Sequence, residues 1–194
     1  YWCGNTSMFW SDQNRIFNQT LKKLEETLRH ERYVGYIDIN CIVNAQGIYP
    51  LEFTARFGYP TISIQQEGIL TPMGEFLYGM AEGTMKTFKT KSGFQIGVRL
   101  VVPPFPFKDT KTFEVNSKEA VIIFKKLNGN GKGREGVHIE DVKQVEGEWL
   151  ITGNSGVILI IVGTGQSMRQ AQRQVYSRIS NILMPNMYYR KDIG

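Results

Sequence analysis

The sequence has little of what metal–thiolate, disulfide or membrane chemistry requires. Cysteine occurs twice, as Cys3 and Cys41, and histidine twice, as His30 and His138, in 194 residues. Neither cysteine has a CxxC partner and the histidines are as few, so a Cys/His zinc cluster is not expected, and a reducing, cytoplasmic setting is. No apolar run approaches the roughly 20 residues of a membrane span. The most apolar segment, Val157 to Val162, has the length of one buried strand. No signal-peptide pattern opens the chain, and its first residue is Tyr1 rather than Met, which suggests an excised piece of something longer. A GxSxG elbow is absent, and neither cysteine has a base motif beside it, so nucleophilic catalysis has no candidate.

What is present is ordinary globular material. Hydrophobic residues make up 41%, charged residues 21% and aromatic residues 12%, enough for one large domain or two small ones with a real core. The formal net charge of +5 permits contact with anions such as nucleotides. Lys and Arg are scattered, however, and do not interleave with aromatics in a nucleic-acid motif.

The spacing of Phe17, Leu21, Leu24 and Leu28 predicts a helix from a cap at Ser11 to about Arg32. Thr71 before Pro72 marks another helix start, with Met73, Phe76, Leu77 and Met80 on its buried face and Gly83 at its end. Residues 85–93 read as a connection, and a subdomain boundary is expected near Ser92. Beyond it, Ile96, Val98, Leu100 and Val102 alternate as a strand until Pro103-Pro104, and Ala120 to Phe124 and Val157 to Val162 are further strands. Ser167 and Gln170 form a capping box for a helix burying Met168, Ala171, Val175, Ile179 and Ile182.

Three lookalikes carry little. The run Asn128 to Gly136 has glycines for a phosphate nest, with Lys132 and Arg134 as counter-charges, but it lacks the GxxxxGK[ST] spacing and suits a hairpin loop. Gly163-Thr164-Gly165 has Met168 where a dinucleotide fingerprint needs its third glycine, and reads as a strand-to-helix turn. His138-Ile139-Glu140 has the HxE of zinc deaminases without their PCxxC.

The informative stretch is Gly35 to Pro60. Asp38 and Asn40 precede a turn at Asn44 to Gly47, and Glu52, Thr54 and Arg56 follow it. Residues two apart in a strand share a face, so each run presents a polar row while Ile37, Ile39, Phe53 and Ala55 point the other way. With a loop of Ala45 to Gly47, Asn40 falls opposite Glu52 and Asp38 opposite Thr54. Such a gathering of oxygens and one guanidinium suits a metal ion and a phosphate. A half-exposed antiparallel hairpin shows the same alternation with its polar face simply in solvent. The pattern leaves both readings open.

The stretch Tyr33-Val34-Gly35, a turn ending in Gly47, and then Leu51-Glu52-Phe53-Thr54-Ala55-Arg56-Phe57-Gly58-Tyr59-Pro60 resembles the phosphoribosylamine–glycine ligases, ATP-grasp enzymes that read Glu-Phe-Asn-x-Arg-Phe-Gly-Asp-Pro-Glu here. The ending is similar too: Gly156-Val157-Ile158-Leu159, a capped helix with Ala171 and Tyr176, and the closing Arg190-Lys191-Asp192-Ile193-Gly194. The resemblance covers nearly the whole chain and aligns it with the C-terminal half of the family's protein. It implies an α+β fold, with residues 1–92 as the C-terminal part of an ATP-grasp module, an antiparallel sheet with helices, and residues 93–194 as the family's small mixed α/β C-terminal domain. It also implies ATP-dependent carboxylate–amine ligation in purine biosynthesis, joining glycine to 5-phosphoribosylamine through a glycyl phosphate, with ATP and Mg2+ (or Mn2+) as cofactors. Glu52 matches the family's metal ligand and Arg56 its substrate or phosphate contact. Asn40 lies where other ATP-grasp enzymes often place a further metal-ligating carboxylate. Thr54 stands in place of the metal-ligating Asn, and Tyr59 and Thr61 replace Asp and Glu. The nucleotide-binding lysines and glycine-rich lid belong to the family's preceding half, which is the expected partner of this one, so the chain alone is expected to be inactive. The alternatives are an ATP-grasp-derived binding or scaffold domain that has lost catalysis, and a ligase for another amine or carboxylate.

Overall fold

The computed structural model describes residues 2–3, 7–8, 15–84, 89–125 and 134–194. The cap expected at Ser11 and most of the glycine-rich run from Asn128, including Lys132, lie outside these residues, as do residues 85–88 of the expected connection. By their contacts the residues divide into two compact units: Tyr1–Ile62 with Ile69–Lys91, and Ser63–Gly68 with Ser92–Gly194.

In the first unit, two-residue strands β1 (Trp2–Cys3) and β2 (Ser7–Met8) pair antiparallel. The single helix expected up to Arg32 is broken into α1 (Arg15–Gln19), a 3-10 turn (Leu21–Leu24) and α2 (Glu25–His30). Thr20 marks the break: its hydroxyl donates to the Ile16 carbonyl at 2.6 Å, a local bond that competes with the helical ladder. The apolar stripe survives in part, since Phe17 and Leu21 are buried.

Strands β3 (Asp38–Val43) and β4 (Ile48–Thr54) form an antiparallel hairpin. Its turn is held by Asn44, whose side-chain oxygen accepts from the backbone N–H groups of Gln46 at 2.9 Å and Gly47 at 3.0 Å. Val43 pairs with Ile48, so the loop is Asn44 to Gly47, one residue longer than expected. A bulge between Asn40 and Cys41, which skips Leu51 on β4, takes up that residue and restores Asn40 opposite Glu52. Pro50, which has no N–H to give to the ladder, sits beside the bulge.

Helix α3 (Thr61–Gly68) follows, and its residues from Ser63 onward belong to the second unit. Helix α4 (Met73–Ala81) buries Phe76, Gly79 and Met80, while Leu77 is exposed. Thr71 does not cap it; its hydroxyl accepts from Lys89 N at 3.1 Å. Gly83, with φ +67, ends the helix as expected, in the left-handed conformation that glycine tolerates.

The second unit holds a three-stranded sheet in the order β5–β10–β7 and a four-stranded sheet in the order β11–β6–β9–β8. The strands are β5 (Phe94–Val101), β6 (Val121–Phe124), β7 (Val137–Ile139), β8 (Val142–Val145), β9 (Glu148–Ile151), β10 (Val157–Gly165) and β11 (Ile182–Leu183), and among the described residues they pair antiparallel. Strand β10 is central, and Val157 to Val162 are all buried. Burying a large aliphatic side chain contributes about 1.5–3 kcal/mol, so this run dominates the unit's core. Helix α6 (Met168–Ile179) lays Ala171, Val175 and Ile179 on the sheet, and Ile64 of α3 meets it at Gly97, where an added Cβ would lie 2.5 Å from Ile64 Cγ1. Glu67 of α3 also reaches His138 Nε2 on β7 at 3.1 Å.

Ser167 caps α6 as expected, accepting from Gln170 N at 3.3 Å, but the Gln170 side chain accepts from Gln166 N rather than from the cap residue itself. Met168 is 46% exposed, and Ile182 belongs to β11, not to the helix. Gly163-Thr164-Gly165 are the last residues of β10 and pair with Ile96, Gln95 and Phe94 rather than forming the turn itself.

Helix α5 (Thr110–Asn116) starts at Asp109, whose carboxylate accepts from Lys111 N at 3.0 Å, Thr112 N at 3.2 Å and Thr112 Oγ1 at 2.7 Å. The Thr112 hydroxyl first, and then the two backbone N–H groups, hold the Asp109 carboxyl below its ordinary value. A depressed folded value makes this cap most stabilising above the unfolded carboxylate range, and the benefit is lost as pH falls through the folded value. Asp109→Asn is therefore expected to unfold more readily than the parent at neutral pH and to converge with it in strong acid. Urea midpoints measured along a pH series check this, and a gap that persists in acid would contradict it.

Candidate functional site

The bulged register puts four oxygen-bearing side chains on one face of the hairpin. Asn40 is the ladder partner of Glu52, and Asp38 is the partner of Thr54. Directly opposed residues have Cβ atoms about 4.5–5.5 Å apart. Asn40 Nδ2 accordingly donates to Glu52 Oε1 at 3.0 Å. Arg56 lies just past the end of β4, exposed, with Nη1 donating to the Phe57 carbonyl at 2.9 Å. The structure thus brings Asn40, Glu52 and Thr54 together and leaves the Arg56 guanidinium on its own loop.

The strand end is fixed from below. Tyr36 is buried and its ring packs on Phe57 with centroids 5.0 Å apart, while Ile62 N donates to the Gly58 carbonyl at 2.8 Å. Asp38, which the alternation places on the polar row, has its Oδ2 2.8 Å from where a Cβ at Gly58 would stand. The signal for that neighbour in the sequence is only the glycine itself.

The opposite face departs from expectation. Phe53 is 53% exposed and Val43 49%, and Leu51 at the bulge is 62% exposed. The hairpin pairs with no other strand among the described residues. Two strands alone are marginal in water, so this element depends on neighbours beyond its own ladder.

No other cluster competes. Among the described residues no group of three or more His, Cys, Asp and Glu side chains is placed to hold a metal ion. A cleft of about 270 Å³ in the second unit, with Pro104, Phe105, Phe107 and Tyr188 in its lining, has one carboxylate, Asp109, already engaged as a helix cap. No helix among the described residues is long and apolar enough to cross a membrane.

The C-terminal segment is tied down by α6. Tyr176 OH donates to the Arg190 carbonyl at 3.0 Å and accepts from Ile193 N at 3.1 Å, and Gln172 Nε2 donates to the Ile193 carbonyl at 3.2 Å. Arg190 forks onto Asp192 at 3.0 and 2.7 Å, which places the Arg-x-Asp-Ile-Gly ending in a defined turn.

No family model matches the chain. Individual proteins do. The phosphoribosylamine–glycine ligase of Mycobacterium tuberculosis (strain H37Rv) is 25% identical over 195 residues, covering 95% of this chain and 42% of that protein. The enzyme of the same name from Mycobacterium leprae is 27% identical over 170 residues, covering 86% of this chain and 36% of that protein. The chain therefore spans less than half the length of these relatives. Among solved structures, the phosphoribosylamine–glycine ligase of Thermotoga maritima superposes with a TM-score of 0.66 at 22% identity, over 94% of this chain and 45% of that one. A biotin carboxylase subunit of pyruvate carboxylase matches with a TM-score of 0.55 at 12% identity, over 87% of this chain and 36% of that one. These superpositions bear on the fold: α+β, with antiparallel sheets and helices as in the C-terminal part of an ATP-grasp module and the small domain after it. Along almost its whole length, the chain is a divergent relative of the C-terminal part of the phosphoribosylamine–glycine ligases.

Proposed function

We propose that the chain forms one side of the active site of an ATP-grasp carboxylate–amine ligase, with glycine and 5-phosphoribosylamine as the substrates to test first. The observation that carries this reading is the cross-strand pairing of Asn40 with Glu52 beside Asp38 and Thr54, at the segment that resembles the ligases' Glu-Phe-Asn-x-Arg run. The donor set fits a hard cation: a carboxylate on Glu52, an amide oxygen on Asn40 and a hydroxyl on Thr54. Magnesium, or manganese in its place, supplies charge neutralisation for nucleotide phosphates when bound there. The bond from Asn40 Nδ2 fixes one Glu52 oxygen and leaves the other, and the Asn40 carbonyl, for ligation. Arg56, exposed past the strand end, holds a phosphate or acyl phosphate by paired N–H donors. The other side of the site is contributed by sequence corresponding to the N-terminal part of the relatives, and the protein works in purine biosynthesis in the cytoplasm.

A second reading draws on Thr54. A short hydroxyl replaces the amide found there in the ligases, and Tyr59 and Thr61 stand where those enzymes carry Asp and Glu. On that reading the hairpin serves a binding domain or a ligase with another amine or carboxylate. The test is ADP release by the polypeptide extended with its upstream half. Release that requires both glycine and phosphoribosylamine is the expected result. Normal ATP binding without turnover would remove those substrates and favour the second reading.

A further inference from the structure

We infer that Tyr36 is a positioning residue for Arg56: its buried ring holds Phe57 in place, and the Phe57 carbonyl in turn aims the guanidinium at the anion it is to meet. The inference rests on the reading of Arg56 given above, and three observations support it.

The first is the anchor. Tyr36 is 8% exposed, and its ring packs on Phe57 with centroids 5.0 Å apart and planes tilted by 46°. Aromatic pairs at that separation stabilise beyond the area they bury. Tyr36 is itself held by the residues before it. The Tyr33 hydroxyl donates to the Tyr36 carbonyl at 2.8 Å, and burial pushes that phenol up, so it stays a neutral donor. Between them Gly35 takes φ +150, a conformation that glycine adopts at little cost, and an added Cβ there would lie 3.2 Å from the Tyr33 hydroxyl.

The second is the far side of the same peptide. Gly58 is buried, and its carbonyl accepts from Ile62 N at 2.8 Å at the start of α3. Residues 57 and 58 are therefore fixed from two directions, by the ring of Tyr36 and by the first turn of α3.

The third is the guanidinium. Arg56 Nη1 donates to the Phe57 carbonyl at 2.9 Å. Arginine carries five N–H donors in a planar fork, and this bond uses one of them. The edge formed by Nε and Nη2 stays open for paired bonds to an oxyanion. A long exposed side chain samples many rotamers, whereas one tied to a carbonyl that does not move presents its fork in one orientation before any ligand arrives.

The experiment has two readouts. In the 194-residue chain, the heteronuclear NOE of the Arg56 Nε–Hε pair reports how firmly the guanidinium is held on the fast timescale. Arg173, exposed and without a partner among the described residues, is the mobile reference. Arg56 is expected to be more ordered than Arg173, and Tyr36→Leu is expected to bring it to the Arg173 level while circular dichroism shows the chain still folded. In the polypeptide extended with its upstream half, Tyr36→Leu is expected to lower kcat on the order of 10–100-fold, with KM for glycine changed less than about threefold, because misplacing a group that meets the transition state costs rate rather than uniform binding. Tyr36→Phe keeps the ring and is expected to stay within about threefold of the parent. In an Arg56→Ala background, Tyr36→Leu is expected to add less than about a twofold loss, since it acts only through the side chain already removed.

A merely structural role for Tyr36 gives the same loss in both backgrounds, and that result overturns the inference. So does an Arg56 no more ordered than Arg173 in the unaltered chain, or an order that survives Tyr36→Leu. A loss in Tyr36→Phe equal to that in Tyr36→Leu puts the effect on the hydroxyl and overturns it as well. Where Tyr36→Leu does not fold, Phe57→Leu removes the same ring contact from the other side and carries the same expectations. Loss of turnover in Arg56→Ala with none in Tyr36→Leu overturns the inference alone. Arg56→Ala without effect on turnover removes Arg56 from the site, and the reading of Arg56 falls together with the inference.

Discussion

Arg56→Ala is expected to lower kcat/KM of the extended ligase about a thousandfold while leaving its stability within about 0.5 kcal/mol of the parent. The two halves of this expectation have separate grounds. Arg56 is exposed, and its one described hydrogen bond goes to the carbonyl of the next residue at 2.9 Å. Surface bonds of that kind contribute little to folding, so truncation should not unfold the hairpin. A guanidinium that meets charge building on a transferring phosphoryl group, by contrast, is commonly worth 10³ or more in rate, and a preorganised donor in a dry site 10² to 10³. Arg56→Lys separates charge from geometry. Lysine keeps the positive charge but loses the planar fork, so it should recover only a small part of the loss if two parallel N–H bonds to an oxyanion are what matters. Steady-state kinetics with glycine varied, next to a urea denaturation curve, measures both terms. A loss in kcat/KM below about fivefold with stability unchanged would show that the guanidinium does not touch the reacting groups.

How much of this was open to sequence reading depended on whether the signal was local. Helix α6 was legible because its cap at Ser167 and its stripe of Ala171, Val175 and Ile179 agree, and both are set by neighbours within a few residues. Strand β10 was legible because six apolar residues in a row have no other use in a protein of this size. The helix expected to reach Arg32 failed at Thr20, where the apolar spacing runs on but a hydroxyl competes for the ladder. Helix α3 gave no sign of itself. Ile62 and Ile64 alternate with small polar residues as in a strand, and what holds the helix is Ile64 against the bare Cα of Gly97, thirty-odd positions away.

The hairpin shows both outcomes. Its alternating polarity fixes which side chains share a face, so Asn40 opposite Glu52 could be read directly. The loop length could not, because Asn44 leaves the ladder to hold a longer turn with its own side chain and the bulge at Leu51 compensates at a distance. Two local departures cancel at the residues that matter. The placement of Arg56 is a different matter, since a side chain beyond the strand end is free of the pleat and follows contacts that alternation does not encode.

Gly163→Val is expected to destabilise the second unit by on the order of 3 kcal/mol or more, enough to leave the unit largely unfolded if its margin is ordinary. A Cβ at Gly163 would overlap the carbonyl oxygen of Ala171 and lie 2.5 Å from Val175 N, and one at Gly165 would lie 2.5 Å from Ala171 N. These are backbone atoms of α6, so no rotamer change relieves the contact; the helix itself has to move off the strand. The residues that would lose their packing are Ala171, Val175 and Ile179 on one side and the Ile158 to Val162 core on the other, all buried. Helix displacement therefore adds a cavity cost to the steric one, and interiors at crystal-like density cannot absorb either cheaply. Neither Gly163 nor Gly165 has a left-handed φ, which assigns their role to close approach of helix and strand rather than to a turn or a nucleotide loop. Gly74, in the first turn of α4, provides the opposite control: nothing lies within 4 Å of an added Cβ there, so Gly74→Ala should leave stability within about 0.5 kcal/mol of the parent. Urea unfolding followed by Trp149, whose ring packs on Phe124 at 6.1 Å in the second unit, reports the first change. An unchanged urea midpoint for Gly163→Val would mean that α6 does not lie against β10 as described, and with it the clamp that Tyr176 and Gln172 place on the C-terminal segment would lose its base.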